Sequence, residues 1–210
     1  MTVVDFVAIV IWGYFLGSIP FGVIVSKLSK GIDVREHGSG SAGMTNVIRT
    51  VGAGAGASVF AADVAKGAAA VAFAWVLFDT SSSTFAWGQV AGGCAAVIGH
   101  SWPIFAGFRG GRGVATGFGC LLVISWPVSL ISLGVFLLVL TSLHYVSLGS
   151  MMAVLTMLLA FIPFIVTHRE PFASLVYALV VAPIIIFRHR GNIQRLVAGT
   201  EPKLGRRASA

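Results

Sequence analysis

A chain of 210 residues that is 57% hydrophobic and only 10% charged, with mean hydropathy +0.93, cannot hide its apolar surface in one soluble core, so it reads as a polytopic membrane protein. Its net charge of +7 is no sign of nucleic-acid binding, because basic residues beside apolar spans usually record membrane orientation. Cys94 and Cys120 both sit inside apolar runs, which gives no basis for a disulfide framework or a thiolate metal site.

Phe6 to Val25 is an uncharged run of 20 residues preceded by Asp5 rather than by Lys or Arg, which predicts a retained spanning helix and not a signal peptide. Lys27 to Arg35 then reads as a hydrated linker, and His37-Gly-Ser-Gly-Ser-Ala-Gly-Met-Thr-Asn-Val-Ile-Arg49 follows as a polar, glycine-rich loop. Gly67 to Phe78 supplies the next apolar segment, with Gly52 to Ala61 either a re-entrant piece or part of the same span. Phe85 to Phe108 is apolar apart from His100. The stretch from Gly113 to Thr167, 55 residues without a formal charge, is too long for one crossing at about 1.5 Å per helical residue. Breaks within it are predicted near Trp126-Pro127 and from His144 to Ser150. Pro171 to Phe187 is the last apolar run.

Charge chooses between two and three crossings in the long run. With three, and the amino terminus outside, 13 of the 14 Lys and Arg residues face the cytoplasm and only Arg169 faces out; with two, the asymmetry nearly vanishes. The expected fold is therefore an all-α integral membrane protein of seven transmembrane helices. Its amino terminus is outside, its carboxyl terminus cytoplasmic, and its cytoplasmic loops are short and glycine-rich. Residues 1–202 form one polytopic domain, and 203–210 a flexible basic cytoplasmic tail. Gly52, Gly54 and Gly56, Gly88 with Gly92, and Gly113 with Gly117 carry small-residue spacing suited to close helix contact.

This topology gathers the unusual polar segments on one face. Glycines let backbone approach an anion, hydroxyls donate or accept, and Arg49 offers a planar fork of donors that suits phosphate. Gly38, Gly40 and Gly43 spell G-x-G-x-x-G, but a dinucleotide fingerprint needs a preceding strand, and a spanning helix precedes this one. Arg109 and Arg112 flank Gly110-Gly111, where they serve either as headgroup anchors or as phosphate ligands. His189 and Asn192, three apart, share a face if helical. Asp63 and Lys66 read as an interfacial structural pair, and His100 and His144 as hydrogen-bonded residues at span ends. No H-x4-D, H-E-x-x-H or Walker A pattern occurs, so metal hydrolysis and ATP use have no support.

At these residues the chain resembles the bacterial acyl-phosphate:glycerol-3-phosphate acyltransferases, the PlsY-type family, essentially from end to end. Gly38 to Arg49 is similar to the family's GSGNxGxTNxxR block, Gly99 to Thr116 to GHxxPxFxxFxGGKGVAT, and His189 to Glu201 to HRxNIxRLxxGTE. Ser41 stands where the family usually has Asn, and Arg112 where it usually has Lys.

The resemblance implies transfer of a fatty acyl group from acyl phosphate to the sn-1 hydroxyl of glycerol 3-phosphate, giving 1-acylglycerol 3-phosphate (lysophosphatidic acid) and phosphate. That is the first step of phospholipid synthesis, here in the bacterial inner membrane at its cytoplasmic face. It needs no cofactor, no metal, and neither acyl-CoA nor acyl carrier protein as direct donor. Ser39, Arg112 and His189 are the implied catalytic residues. Gly38, Gly40, Ser41, Gly43, Thr45, Asn46, Arg49, Gly110, Gly111, Ser150 and Asn192 are the implied substrate-binding ones. Backbone N–H groups from Gly38 to Gly43, with Ser39, would cradle one phosphate and the reacting carbonyl; Arg49, Arg112, His189 and Asn192 would hold glycerol phosphate. Either His189 or the donor's own phosphate takes the hydroxyl proton, the phosphate being the preferred base. The rival class is a transporter of an organic phosphate, weakened by cations that cluster at one interface.

Overall fold

Apolar runs punctuated by Pro, Gly and small polar residues produce a succession of helices in the computed structural model, which describes residues 3–204; no strand occurs among them. The chain divides into two units, one ending at Ile124 and one beginning at Ser125.

In the first unit, the run expected as a single helix is interrupted. Helix α1 (Val3–Gly17) stops before Pro20, which lacks an N–H to continue the ladder, and α2 (Phe21–Lys30) resumes directly after it. Together they form one candidate span, Val3–Lys30. The expected linker at Lys27 is thus helical as far as Lys30.

A short 3₁₀ turn (Val34–Glu36) and α3 (Met44–Thr50) bracket the glycine-rich loop. Val34, Val47 and Val59 are fully buried together beneath that loop, each contributing roughly 1.5 kcal/mol by burial.

Helix α4 (Ala53–Ala72) continues into α5 (Ala74–Leu77). Residues 53–61 therefore belong to the second span rather than to a re-entrant piece. Asp63 and Lys66 consequently lie inside the helix, at 1% and 4% exposure. Helix α6 (Thr84–Ser101) ends ahead of Pro103, earlier than the apolar pattern suggested, because the residue before proline is pushed out of the α region. Residues 102–113 make a loop with a 3₁₀ turn at Ile104–Ala106, and α7 (Val114–Ile124) closes the unit.

Small residues let these helices touch. A Cβ at Gly17 would collide with the Ala96 backbone, at Gly99 with Tyr14 O, and at Gly67 with Thr116 O. Of the glycines expected to pack, Gly56, Gly88 and Gly92 do so, whereas Gly54 faces open space and Gly52 caps α4 instead.

In the second unit, α8 (Trp126–Leu143), α9 (Val146–Val166), α10 (Phe172–Arg188) and α11 (Arg190–Val197) follow one another through short turns. The first two breaks, at Ser125 and at His144-Tyr145, fall where Pro127 and the small polar residues predicted them. Helices α10 and α11 meet at a 57° bend at His189.

Among the described residues, four helical segments are long and apolar enough to cross a membrane, five if the bent pair counts as one span. Leu138 at 66% and Leu159 at 67% exposure show the outward apolar surface of a chain solvated by lipid. Lys203 and Leu204 are the last residues of the expected tail that are described; the rest of it, Arg206 and Arg207 included, lies outside the described residues.

Candidate functional site

The glycine-rich loop of the first unit is shaped by one side chain. Asn46, 2% exposed, donates from Nδ2 to the carbonyls of Val34 (2.9 Å), His37 (3.0 Å) and Ser41 (2.9 Å), and accepts from Ser39 N–H at 3.0 Å through Oδ1. Its amide is occupied by the loop itself, so Asn46 acts by holding the loop in shape.

Gly38 and Gly40 adopt φ +57° and +68°, a left-handed conformation natural to glycine, and a Cβ at Gly38 would collide with Asn46 Oδ1. Gly40 N–H donates to His37 O at 3.1 Å, and Gly43 N–H to Ser41 Oγ at 3.3 Å. The expected anion cradle from Gly38 to Gly43 is thereby narrowed, since the N–H groups of Ser39, Gly40 and Gly43 are already donated within the loop. Gly38, Ser39, Gly40 and Arg49 are exposed, while Ser41, Gly43 and Thr45 are half-buried.

Arg35 ties this loop to the next. It makes an ion pair with Asp33 at 2.6 Å, and its Nη1 donates to Ala106 O at 2.6 Å, in the loop after α6. The Arg35 hydrogen bond, opposed by partial burial, holds the Asp33 carboxyl at about 2. Gly110 and Gly111 in that second loop are buried, with Arg112 half-buried beside them; Gly111 N–H donates to His100 O at 3.1 Å. The first two polar segments therefore meet at one end of the first unit.

Gly22 on α2 supports the first loop from below, and a Cβ there would collide with Ala42 O. Gly22→Ala should therefore shift that loop and raise the KM for anionic substrates about tenfold or more while helix content by circular dichroism stays unchanged. An unchanged KM would show that the loop tolerates displacement.

In the second unit the centre is a residue that sequence reasoning passed over. Glu201, 8% exposed, accepts from Ser147 Oγ (2.6 Å) and Asn192 Nδ2 (2.7 Å) through Oε1, and from Arg195 Nε (2.8 Å) through Oε2. Burial alone would raise its carboxyl, but the hydrogen bonds from Ser147, Asn192 and Arg195 outweigh it and hold the group below its usual range. Its only signal in the sequence was its place at the end of the third polar block.

Ser150 donates instead to Val146 O of its own helix at 2.8 Å and is 3% exposed; Ser147, one turn earlier, is the serine that joins the cluster. His189 is 1% exposed, with Nδ1 2.8 Å from Ile185 O. A carbonyl only accepts, so Nδ1 carries the hydrogen and a neutral ring has its basic nitrogen at Nε2.

Comparisons with known proteins agree with this architecture. A family model described as glycerol-3-phosphate acyltransferase matches residues 7–199. The glycerol-3-phosphate acyltransferase of Parasynechococcus marenigrum (strain WH8102) is 45% identical over 93% of this chain and 88% of that protein. The crystal structure of PlsY, an integral membrane glycerol 3-phosphate acyltransferase, is 40% identical in its glycerol 3-phosphate form, with TM-score 0.85 over 95% of this chain and 96% of the other. Its lysophosphatidic acid form gives TM-score 0.83 and the same identity, over 95% of each chain. With sequence and fold in agreement over nearly its full length, the chain belongs to the glycerol-3-phosphate acyltransferase family.

Proposed function

We propose that this membrane glycerol-3-phosphate acyltransferase takes its acyl group from acyl phosphate and places it on the sn-1 hydroxyl of glycerol 3-phosphate, releasing lysophosphatidic acid and inorganic phosphate. The observation that carries this reading is the near full-length likeness to PlsY in both a glycerol 3-phosphate and a lysophosphatidic acid form.

The chemistry asks little of the protein. Acyl phosphate is a mixed anhydride, so the hydroxyl oxygen attacks the carbonyl carbon, the carbon–oxygen bond to phosphate breaks, and the hydroxyl proton leaves with the phosphate. Positioning and charge stabilisation then replace a covalent nucleophile. In the first unit, Arg49 and Arg112 are the cations for substrate phosphate, and Ser39, Ser41, Thr45 and the backbone at Gly38, Gly40, Gly43, Gly110 and Gly111 line the approach. In the second, His189, Asn192 and Ser150 serve the glycerol moiety. The donor phosphate, with a second pKa near 6 by analogy with phosphomonoesters, is the preferred base.

Membrane placement follows the positive-inside rule, with seven crossings, the amino terminus outside, one domain over 1–202 and a cytoplasmic tail from 203. In the first unit Lys27, Lys30, Arg35, Arg49, Arg109 and Arg112 all belong to the end bearing the two polar loops; in the second, Arg169 alone lies on the turn between α9 and α10. That asymmetry favours a site at the cytoplasmic face of the bacterial inner membrane. Lys66 is not among these cations, because it is buried inside α4 at 4% exposure.

Purified protein in lipid, given labelled glycerol 3-phosphate with palmitoyl phosphate, palmitoyl-CoA or neither, should form lysophosphatidate only with palmitoyl phosphate. Uptake into vesicles without product would instead favour an organic-phosphate transporter. Arg49→Ala should raise the KM for glycerol 3-phosphate about tenfold with little change in kcat, as loss of one phosphate contact predicts; an unchanged KM removes Arg49 from that role. His189→Gln should keep kcat within about tenfold while KM rises. Loss of turnover with unchanged glycerol 3-phosphate binding would make His189 the base.

A further inference from the structure

The candidate span Ala53–Leu77 carries two charged residues, Asp63 and Lys66, buried in its middle. Each would cost roughly 2.5–3.5 kcal/mol alone at mid-membrane, and well-packed apolar residues would fill the same space. Packing does not explain them.

Their contacts point elsewhere. Lys66 Nζ lies 2.8 Å from Asp63 Oδ1 and donates to Ile19 O at 2.8 Å, a carbonyl in the break that Pro20 opens between α1 and α2. Asp63 Oδ1 lies 3.5 Å from Nδ1 of His100, whose Nδ1 is also 3.0 Å from Thr116 Oγ1 on α7. The other side of that imidazole is the bed of the diglycine. A Cβ at Gly111 would collide with His100 Nε2, one at Gly110 with His100 O, and His100 O accepts Gly111 N–H. A small cavity bordered by Gly22, Ala42, Lys66, His100, Gly110 and Gly111 links these groups to the first loop.

We propose that Asp63, Lys66 and His100 form a positioning network for the phosphate-binding loops, fixing the His100 ring so that Gly110-Gly111, and through them Arg112, hold the geometry that receives substrate phosphate. The inference rests on the assignment of Gly110 to Arg112 to substrate binding. Lys66 anchors the network to the kink of the first span, and Asp63 orients the ring. None of the three touches substrate.

The test compares wild type, Arg112→Ala and the paired variant Asp63→Leu with Lys66→Met in lipid. Removing both charges avoids leaving one buried and uncompensated. The paired variant should raise the KM for glycerol 3-phosphate or for palmitoyl phosphate about tenfold or more, as misplacement of a binding loop does. A purely structural role lowers only the active fraction, hence the maximal rate at unchanged KM, and that result would overturn the proposal. If Arg112→Ala raises KM and the paired variant does not, this inference alone is wrong; if neither does, the loop assignment falls and takes it along. Should the paired variant not fold, Thr116→Val, nearly isosteric and leaving both charges in place, carries the test: a severalfold rise in KM supports the network, and an unchanged KM overturns it.

Discussion

Glu201→Ala should be the most destabilising single substitution in the second unit. Its carboxylate, with 4% side-chain exposure, is the shared acceptor for Ser147 on α9 and for Asn192 and Arg195 on α11. Alanine would leave three donors without it, at a cost of about 3 kcal/mol. Thermal unfolding in lipid should show a lower midpoint, and Glu201→Gln, which keeps one acceptor oxygen, should fall in between.

The same cluster predicts a pH dependence with a definite sign. The folded carboxyl lies below its ordinary value of 4.5, so its contribution is fully present above that value and is lost as pH falls through the lower, folded one. Wild type should therefore lose stability on acidification below about pH 4.5, and Glu201→Ala should lose less over that window. Equal acid sensitivity in the two proteins would show that Glu201 is not the titrating group.

Gly111→Ala should all but abolish acyl transfer. The new Cβ would run into the imidazole of His100, itself buried at 7% exposure and held by Thr116 and Asp63, so the loop and not the ring must move. Overpacking of this kind costs typically 1–3 kcal/mol, and displacing the backbone beside Arg112 should lower kcat/KM about 100-fold. Helix content should be retained. Activity within a few fold of wild type would mean that the diglycine is not part of the binding surface.

Glycine and proline made much of the architecture legible from the chain alone. Pro127 marked the entry to α8 and the small polar residues after His144 the entry to α9, because proline and small polar residues act locally. The three polar blocks were visible for the same reason, as composition that a lipid-facing helix does not carry. The burial of Asp63 and Lys66 was not visible. An apolar count starts the second span after the charges, whereas α4 begins at Ala53, where Ala55 and Val59 pack against Val34 and Val47.

Side-chain partners were the other hidden layer. Asn46 reads as a ligand-binding amide, yet it is engaged by the carbonyls of Val34, His37 and Ser41 and by the N–H of Ser39. Ser150 reads as a hydroxyl for substrate, yet it bonds back to Val146 while Ser147, three residues earlier, reaches Glu201. Nothing in residue type separates those two serines; only the direction in which helix α9 presents each one does.

By itself, then, the sequence determined a lipid-solvated helical chain, the address of its polar loops and, through their resemblance, the family, because hydropathy and glycine placement are local properties. Only the tertiary structure decided that the first span is kinked, that a charged pair lies within the second, that Asn46 shapes a loop and that Glu201 ties α9 to α11. Those outcomes depend on which distant backbone and side-chain groups meet, and a buried polar group takes its role from the partner that satisfies it.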